Sequence, residues 1–357
     1  MASLAVALLV LEIALTLWYA SAFRVGPLEL ADGQDSPFVF TIRPGRGANE
    51  FGMIREEPVS RVPPPGTRRI LSYGDSIAEG YRLSLAQTYS QLAETALRES
   101  TGERYEVLNM GRGHSPSVYA AHIRRDVPAL DPLGVVIEIE LLNDVSDEAH
   151  VRVSGRASDG LPERLLAHRY IVSWDGHILA PLAWRGSFFE RTKLYAKLSR
   201  AVGRLRERLR PNPLFAADSP VRYYSLSSDR YFLTEAALAR GFERLFESLA
   251  AIHGYLEQRG IWFLLVILPS RDAFETGQYQ VASQAIVERA ERRAQAAAIP
   301  FVSLRRAIAR GGGADLFMDF CHPTARGNEV IAQQLVPLLA SWSSAESDSA
   351  VAAGSSQ

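Results

Sequence analysis

Five short apolar runs divide the chain, and longer amphipathic segments lie between most of them. The runs are RILSY, YEVLNM, GVVIEIELL, IWFLLVIL and PFVSL. Runs of this length and composition are typical of strands that are buried on both faces. Segments such as TYSQLAETALRES and VASQAIVERAERRAQAAA instead repeat their apolar positions with the period of a helix. The alternation predicts a parallel sheet covered by helices on both faces.

The same pattern divides the chain into segments. Residues 25–68 carry scattered proline and glycine and end in VPPPGTRR, which predicts an extended linker. The folded domain is expected over residues 69–342, with an insertion at residues 145–233 whose segment RTKLYAKLSRAVGRLRERLR has a basic, helical pattern. The Ser/Ala/Gly-rich residues 343–357 have the composition of a disordered tail.

The N-terminus predicts a contact with a membrane. Residues 2–23 form a largely apolar stretch with Glu12 as its only charge, and a bilayer-spanning helix needs about 20 residues. We expect residues 1–24 to remain as a single-pass membrane anchor. A cleaved signal peptide stays open as an alternative, because Ala20-Ser21-Ala22 fits the small-x-small cleavage pattern.

Two rules give different sides of the membrane for the folded domain. Arg24, Arg43, Arg46 and Arg55 all follow the apolar stretch, and the positive-inside rule alone would place the folded domain in the cytoplasm. Long segments are translocated largely regardless of nearby charge. We therefore expect the folded domain to be extracytoplasmic, either periplasmic or extracellular.

Composition narrows the classes of function. The 357 residues are 47% apolar and 22% charged, which is the balance of a protein with a large core. A net charge of −1 gives no general attraction to nucleic acid, so no nucleic-acid partner is expected. Cys321 is the only cysteine, and no Cys/His cluster has zinc-type spacing. We expect neither a metal nor an organic cofactor.

Polar motifs follow the first three predicted strands, and a fourth lies just before the final helix. They are Gly74-Asp75-Ser76, Asn109-Met110-Gly111-Arg112-Gly113, Asn143-Asp144 and Asp319-Phe320-Cys321-His322-Pro323. Ligands of parallel α/β sheets bind outside the carboxyl ends of the strands. The order and placement of these motifs therefore indicate one common site.

Over residues 69–340, these motifs resemble those of the SGNH (GDSL-type) hydrolases. The resemblance implies a three-layer α/β/α sandwich with a five-stranded, mostly parallel, flavodoxin-like sheet. It also implies a catalytic triad of Ser76, His322 and Asp319. These residue types suit the chemistry, because a serine hydroxyl needs a base to remove its proton and the base needs a carboxylate to fix its tautomer.

The resemblance further implies an oxyanion hole. Its donors would be the amide of Ser76, Gly113 and the side chain of Asn143, and preorganised donors of this kind stabilise the transition state. The second motif is one residue shorter than the family pattern, so Gly111 competes with Gly113 for this role.

The predicted function is a serine esterase that hydrolyses acyl or acetyl esters of a small molecule or a polysaccharide through an acyl-enzyme. Two alternatives stay open. The same triad could act as an O-acetyltransferase or deacetylase on cell-envelope polysaccharide, or the chain could be a non-catalytic scaffold of the same fold.

One strand carries an anomaly. Glu138 and Glu140 lie on the same face of the otherwise apolar run GVVIEIELL, where unpaired charges are costly. Arginine side chains of the insertion are candidate partners for them.

Overall fold

Five parallel strands form the central sheet, and six further strands follow the third of them along the chain. The computed structural model describes residues 7, 10, 11, 14, 59–111, 115–150, 152–167, 170–173, 178–181, 223–225, 232–276 and 278–354. In chain order the strands are β1 (Thr67–Tyr73), β2 (Arg104–Asn109), β3 (Gly134–Glu140), β4 (Arg152–Arg156), β5 (Pro162–Ala167), β6 (Tyr170–Ser173), β7 (Ile178–Pro181), β8 (Tyr223–Ser225), β9 (Phe232–Thr234), β10 (Trp262–Leu268) and β11 (Phe301–Ser303).

The central sheet has the strand order β11–β10–β3–β1–β2, and all of its pairings are parallel. Leu71 lies between Leu108 of β2 and Val135 of β3, and Ile137 of β3 is paired with Leu265 of β10. Counted along the chain, this is the flavodoxin-like order 2-1-3-4-5. The predicted fold class is confirmed.

Helices connect these strands. They are α1 (Ser76–Glu79), α2 (Tyr89–Thr101), α3 (Pro116–Leu130), α4 (Leu141–His150), α5 (Glu235–Glu257), α6 (Gln278–Ala296), α7 (Arg305–Gly311) and α8 (Ala325–Gly354), with 3₁₀ turns at Leu85–Gln87, Arg271–Phe274 and Gly313–Leu316. Helix α4 begins directly after β3, because Leu141 and Leu142 of the apolar run belong to the helix and not to the strand.

The sheet is buried on both faces, which makes three layers. Successive side chains of β3 enter opposite cores, with Val135 and Ile137 on one face and Val136 on the other. Apolar residues of α3, α5 and α6 cover the first face, and those of α2, α7 and α8 cover the second. The sandwich therefore holds the carboxyl ends of the strands as a rigid edge.

The insertion contains sheet structure that its sequence pattern does not predict. Strands β4 to β7 form a four-stranded antiparallel sheet, and β8 pairs with β9. These strands have three to six residues, too few to show a clear alternation in the sequence. The basic segment at residues 191–210 lies outside the described residues.

The two ends of the chain were predicted as an anchor and a disordered tail. Nearly all of residues 1–24 lie outside the described residues, so the anchor stays a prediction. Within the described part of the chain, no helix combines the length and apolar character that a membrane crossing requires. At the other end α8 continues to Gly354, where composition predicts disorder. Residues 343–353 contain neither proline nor glycine that would interrupt the helix.

Candidate active site

The turn after β1 fixes the position of Ser76. Asp75 caps α1, because its Oδ1 accepts a hydrogen bond of 2.8 Å from the backbone N–H of Ile77. The helix ends after one turn at Gly80, whose φ of 84° lies in the left-handed region that glycine adopts without strain. Ser76 is therefore the first residue of a short helix at the carboxyl edge of the sheet, and it is only partly buried.

His322 and Asp319 complete a chain of three side chains with Ser76. The Oγ of Ser76 lies 2.9 Å from Nε2 of His322. On the other side of the ring, Nδ1 of His322 lies 2.8 Å from Oδ2 and 3.0 Å from Oδ1 of Asp319. The structure thus brings together the three residues that the sequence predicts as a triad, although 246 positions separate the serine from the histidine.

The spacing of Asp319 and His322 is explained by a local turn. Oδ1 of Asp319 accepts hydrogen bonds from the backbone N–H groups of Cys321 at 3.1 Å and His322 at 2.8 Å. This closed turn directs the carboxylate at the imidazole. Partial burial raises the pKa of Asp319, but the hydrogen bonds from His322 and Cys321 lower it more, so the net pKa lies below its ordinary value. Asp319 is therefore an anion at neutral pH.

Asn143 reaches the site from the first turn of α4 and not from a loop after β3. Its side-chain nitrogen donates a 2.8 Å hydrogen bond to Oδ2 of Asp75. Asp75 is 2% exposed, and its pKa is raised by burial in spite of the hydrogen bonds from Ile77 and Asn143. Sequence reasoning assigned no role to this aspartate, since a contact across 68 positions has no local signal.

The second motif braces the turn that carries Ser76. Asn109 donates a 2.6 Å hydrogen bond from Nδ2 to the carbonyl of Ala78, and its Oδ1 accepts the N–H of Gly111 at 2.9 Å. A Cβ on Gly111 would lie 2.2 Å from the backbone nitrogen of Glu79. The N–H of Gly111 is therefore already bonded, and the absence of a side chain there permits close packing. Gly113, the other candidate, lies outside the described residues.

An aromatic residue that the sequence analysis did not select packs on the histidine. The ring of Tyr81 lies 4.3 Å from the imidazole of His322, centroid to centroid. The guanidinium carbon of Arg82 lies 5.0 Å from the centre of the Tyr81 ring, and Arg82 has a φ of 59°, which is uncommon for a residue with a side chain. A tyrosine five positions after the serine carries no pattern that predicts this contact.

Three buried carboxyl groups lie near the turn that carries Ser76. Glu138, Glu140 and Asp144 are at most 1% exposed. Oε2 of Glu140 accepts the N–H of Asn143 at 2.9 Å, and Oδ2 of Asp144 accepts the N–H of Glu140 at 2.8 Å. Neither side-chain oxygen of Glu138 has a hydrogen-bond partner among the residues described. Among the described residues, no arginine side chain is paired with Glu138 or Glu140, although arginine partners were expected from the sequence.

Burial raises the pKa of all three groups. Desolvation, with nearby Asp75 as a further cause, raises the pKa of Glu138 and of Asp144 well above the ordinary range. Burial raises the pKa of Glu140 to about 8, although the hydrogen bond from Asn143 opposes the shift. Asp319 differs from these groups, because its net pKa lies below the ordinary value.

Cys321 is 5% exposed and is part of the core beneath the histidine. Burial, followed by the effect of Glu140, raises the pKa of its thiol. A protonated, buried thiol of this kind is a poor nucleophile.

Comparison with known proteins leaves the family open. No family model matches the chain, and no curated protein does. Among solved structures, an α/β hydrolase from the metagenome of Lake Arreo, Spain, is 16% identical, with a TM-score of 0.43 over 76% of this chain and 94% of that one. An acetylxylan esterase from Geobacillus stearothermophilus is 14% identical, with a TM-score of 0.42 over 76% and 94%. A lipase/acylhydrolase from Enterococcus faecalis is 15% identical, with a TM-score of 0.42 over 77% and 96%. Similarity at this level carries no inference about the function of this chain.

Proposed function

We propose that the chain is a serine esterase of the SGNH type, which hydrolyses acyl or acetyl esters through an acyl-enzyme. The observation that supports this best is the continuous chain of contacts from Ser76 Oγ to His322 Nε2 and from His322 Nδ1 to Asp319. A nucleophile, a base and a group that orients the base are thereby within hydrogen-bond distance.

Acylation follows from this geometry. His322 accepts the Ser76 proton at Nε2 while Oγ attacks the carbonyl carbon of the ester, and Asp319 stabilises the resulting imidazolium through Nδ1. The imidazolium then donates the proton to the leaving alcohol, and the acyl group stays on Oγ. Water, deprotonated by the same nitrogen, releases the acid and restores Ser76.

The negative charge on the carbonyl oxygen needs donors that are already in place. The N–H of Ser76 belongs to the first turn of α1, where it has no partner within the helix. The side-chain nitrogen of Asn143 carries two hydrogens, and one of them is directed by Asp75. We assign the second hydrogen to the oxyanion. Gly113 is the proposed third donor, since the N–H of Gly111 is bonded to Asn109.

A fluorophosphonate probe tests the assignment of the nucleophile. We expect the probe to label the wild-type chain and to leave Ser76→Ala unlabelled, while Ser341→Ala, at an exposed serine of α8, is labelled like the wild type. Full labelling of Ser76→Ala would contradict the proposal.

The reaction itself is tested with p-nitrophenyl esters of rising chain length, with and without an oligosaccharide acceptor. Release without an acceptor indicates hydrolysis, and release that requires one indicates acyl transfer. Asp319→Asn should lower turnover by about 10⁴, the loss measured for the equivalent change in a serine protease. An unchanged turnover in that variant would show that Asp319 does not orient the base.

A further inference from the structure

Three different ligand atoms meet on the Nδ1 side of His322. The Sγ of Cys321 lies 3.6 Å from Nδ1, and Oδ2 of Asp319 lies 2.8 Å from the same nitrogen. All three ligand atoms lie within 4.8 Å of one another. The proposed hydrolysis uses the nitrogen and the carboxylate but has no step for the thiol.

The distances suit a tetrahedral zinc ion. Zn–S bonds of about 2.3 Å and Zn–N bonds of about 2.0–2.1 Å at a tetrahedral angle hold sulfur and nitrogen about 3.5 Å apart, close to the separation observed here. The carboxylate oxygen would have to move away from Nδ1 by about 0.5 Å to reach a similar spacing. Asp319 has room for this, because 35% of its side chain is exposed.

The trio is open to solvent at one end and buried at the other. An ion can enter from the side of Asp319, while the thiol forms the buried end of the trio.

We propose that Cys321 Sγ, His322 Nδ1 and Asp319 Oδ2 form a binding site for Zn²⁺, with water as the fourth ligand, and that the bound ion reversibly inhibits the esterase. The inhibitory effect rests on the proposed function, but the binding does not. On binding, the thiol proton is released to solvent, and the imidazole proton moves from Nδ1 to Nε2. The thiolate and the carboxylate balance the charge of the ion. With its proton on Nε2, His322 no longer accepts the proton of Ser76.

Cobalt absorption tests the site without any turnover. Full-length Ser76→Ala protein, which keeps all three ligands, is titrated with Co²⁺, and a sulfur-to-cobalt charge-transfer band is expected. Cys321 is the only cysteine, so the band has one possible source. Ser76→Ala/Cys321→Ala and Ser76→Ala/Cys321→Ser should both lack the band. Absence of the band in Ser76→Ala itself, with a native circular dichroism spectrum, would overturn the proposal.

Kinetic assays test whether the bound ion inhibits the esterase. Each variant is assayed with a p-nitrophenyl ester at buffered Zn²⁺ concentrations, and its rate is divided by its own metal-free rate. We expect EDTA to reverse the inhibition of the wild type and Cys321→Ala to need at least about tenfold more Zn²⁺, since a ligand is lost. His253→Gln removes a histidine distant in sequence from the trio and should behave like the wild type. Mg²⁺, which prefers oxygen ligands, should not inhibit.

The two proposals fail in different ways. Equal sensitivity of the wild type and Cys321→Ala to Zn²⁺ would overturn inhibition through this site. A chain that shows the cobalt band but hydrolyses no ester would retain the metal site and refute the proposed function.

Discussion

Asp75 joins the helix that carries Ser76 to the helix that carries Asn143. Its two carboxylate oxygens accept one hydrogen bond each, from the N–H of Ile77 and from the side chain of Asn143. Two groups with separate roles in the proposed reaction are therefore held by one buried side chain. Asp75 is hydrogen-bonded to Ile77 and Asn143, and it interacts with His322 only electrostatically, so its proposed role is positioning.

Replacing Asp75 tests that role. Asp75→Asn leaves one acceptor oxygen for two donors, the N–H of Ile77 and the side chain of Asn143, so α1 or Asn143 should lose its orientation and turnover should fall by about 10², as for loss of one oxyanion donor. In Asn143→Ala, turnover should fall by about 10²–10³ with little change in KM. If Asp75 acts through Asn143, the double variant should be no slower than Asn143→Ala.

Asp126→Asn is the matched control for this cycle. Asp126 is also a buried aspartate, bonded to the hydroxyl of Tyr73 at 3.0 Å, and the substitution should leave turnover near the wild-type value. Independent, additive losses in the double variant would show that Asp75 does not act through Asn143.

At the scale of elements, the loop after β2 packs directly against α1. Gly111 lies against the backbone of Ala78 and Glu79, with no space for a side chain between them. The position of the Ser76 helix thus depends on a glycine in a different motif. From the sequence, Gly111 is a candidate oxyanion donor only, because close backbone contact leaves no sign in the sequence except the glycine itself.

Gly111→Ala should displace α1, the helix that carries Ser76. A Cβ 2.2 Å from a backbone nitrogen forces the backbone to shift, so we expect a lower Tm and at least about a tenfold loss of turnover. Gly254→Ala is the control, since a Cβ there meets nothing within 4 Å and the residue lies inside α5. That change should stabilise the fold by about 0.5–1 kcal/mol. Identical behaviour of the two variants would show that the loop accommodates the methyl group.

The buried Glu140 of β3 should make the stability of the protein depend on pH. Glu140 has an ordinary pKa of 4.5 and a folded-state pKa of about 8, so the unfolded chain loses this proton first as pH rises. Its contribution to stability is complete below about pH 4.5 and is lost as pH rises through about 8. The protein should therefore be less stable at pH 9 than at pH 5.

Glu140→Gln should reduce that loss. The amide oxygen of glutamine can still accept the N–H of Asn143, and the side chain does not ionise. The free energy of unfolding is measured in urea at pH 5 and at pH 9 for the wild type and the variant. The decrease between the two pH values should be smaller in Glu140→Gln by on the order of 2–4 kcal/mol. Glu99→Gln, at an exposed position of α2, should keep the wild-type fall. An unchanged fall in Glu140→Gln would mean that Glu140 is already ionised at pH 5.

For the molecule as a whole, the sequence predicts what depends on local pattern. The five core strands follow from apolar runs, and the pairing of Asp319 with His322 follows from the resemblance of their motif to the late motif of the SGNH hydrolases. The Asp75–Asn143 bond and the packing of Tyr81 on His322 depend on contacts that only the folded sheet creates. The antiparallel strands of the insertion are too short for their alternation to be read.

The predicted anchor is tested on the complete chain in a bacterial host. If residues 2–23 span the membrane, the protein should stay in the membrane fraction after a carbonate wash, and deletion of residues 1–24 should release it. A mature N-terminus at Phe23 would instead identify a cleaved signal peptide.

The distance along the chain between Ser76 and His322 has a consequence for biosynthesis. Ser76 leaves the ribosome early, whereas the base arrives 246 residues later, just before the final helix. Until then a nascent chain carries a serine with no group to deprotonate it, however well its first strands have folded. A partly synthesised copy, or one truncated before Asp319, should therefore be inert toward the esters around it, and catalytic competence should appear only after His322 has been synthesised.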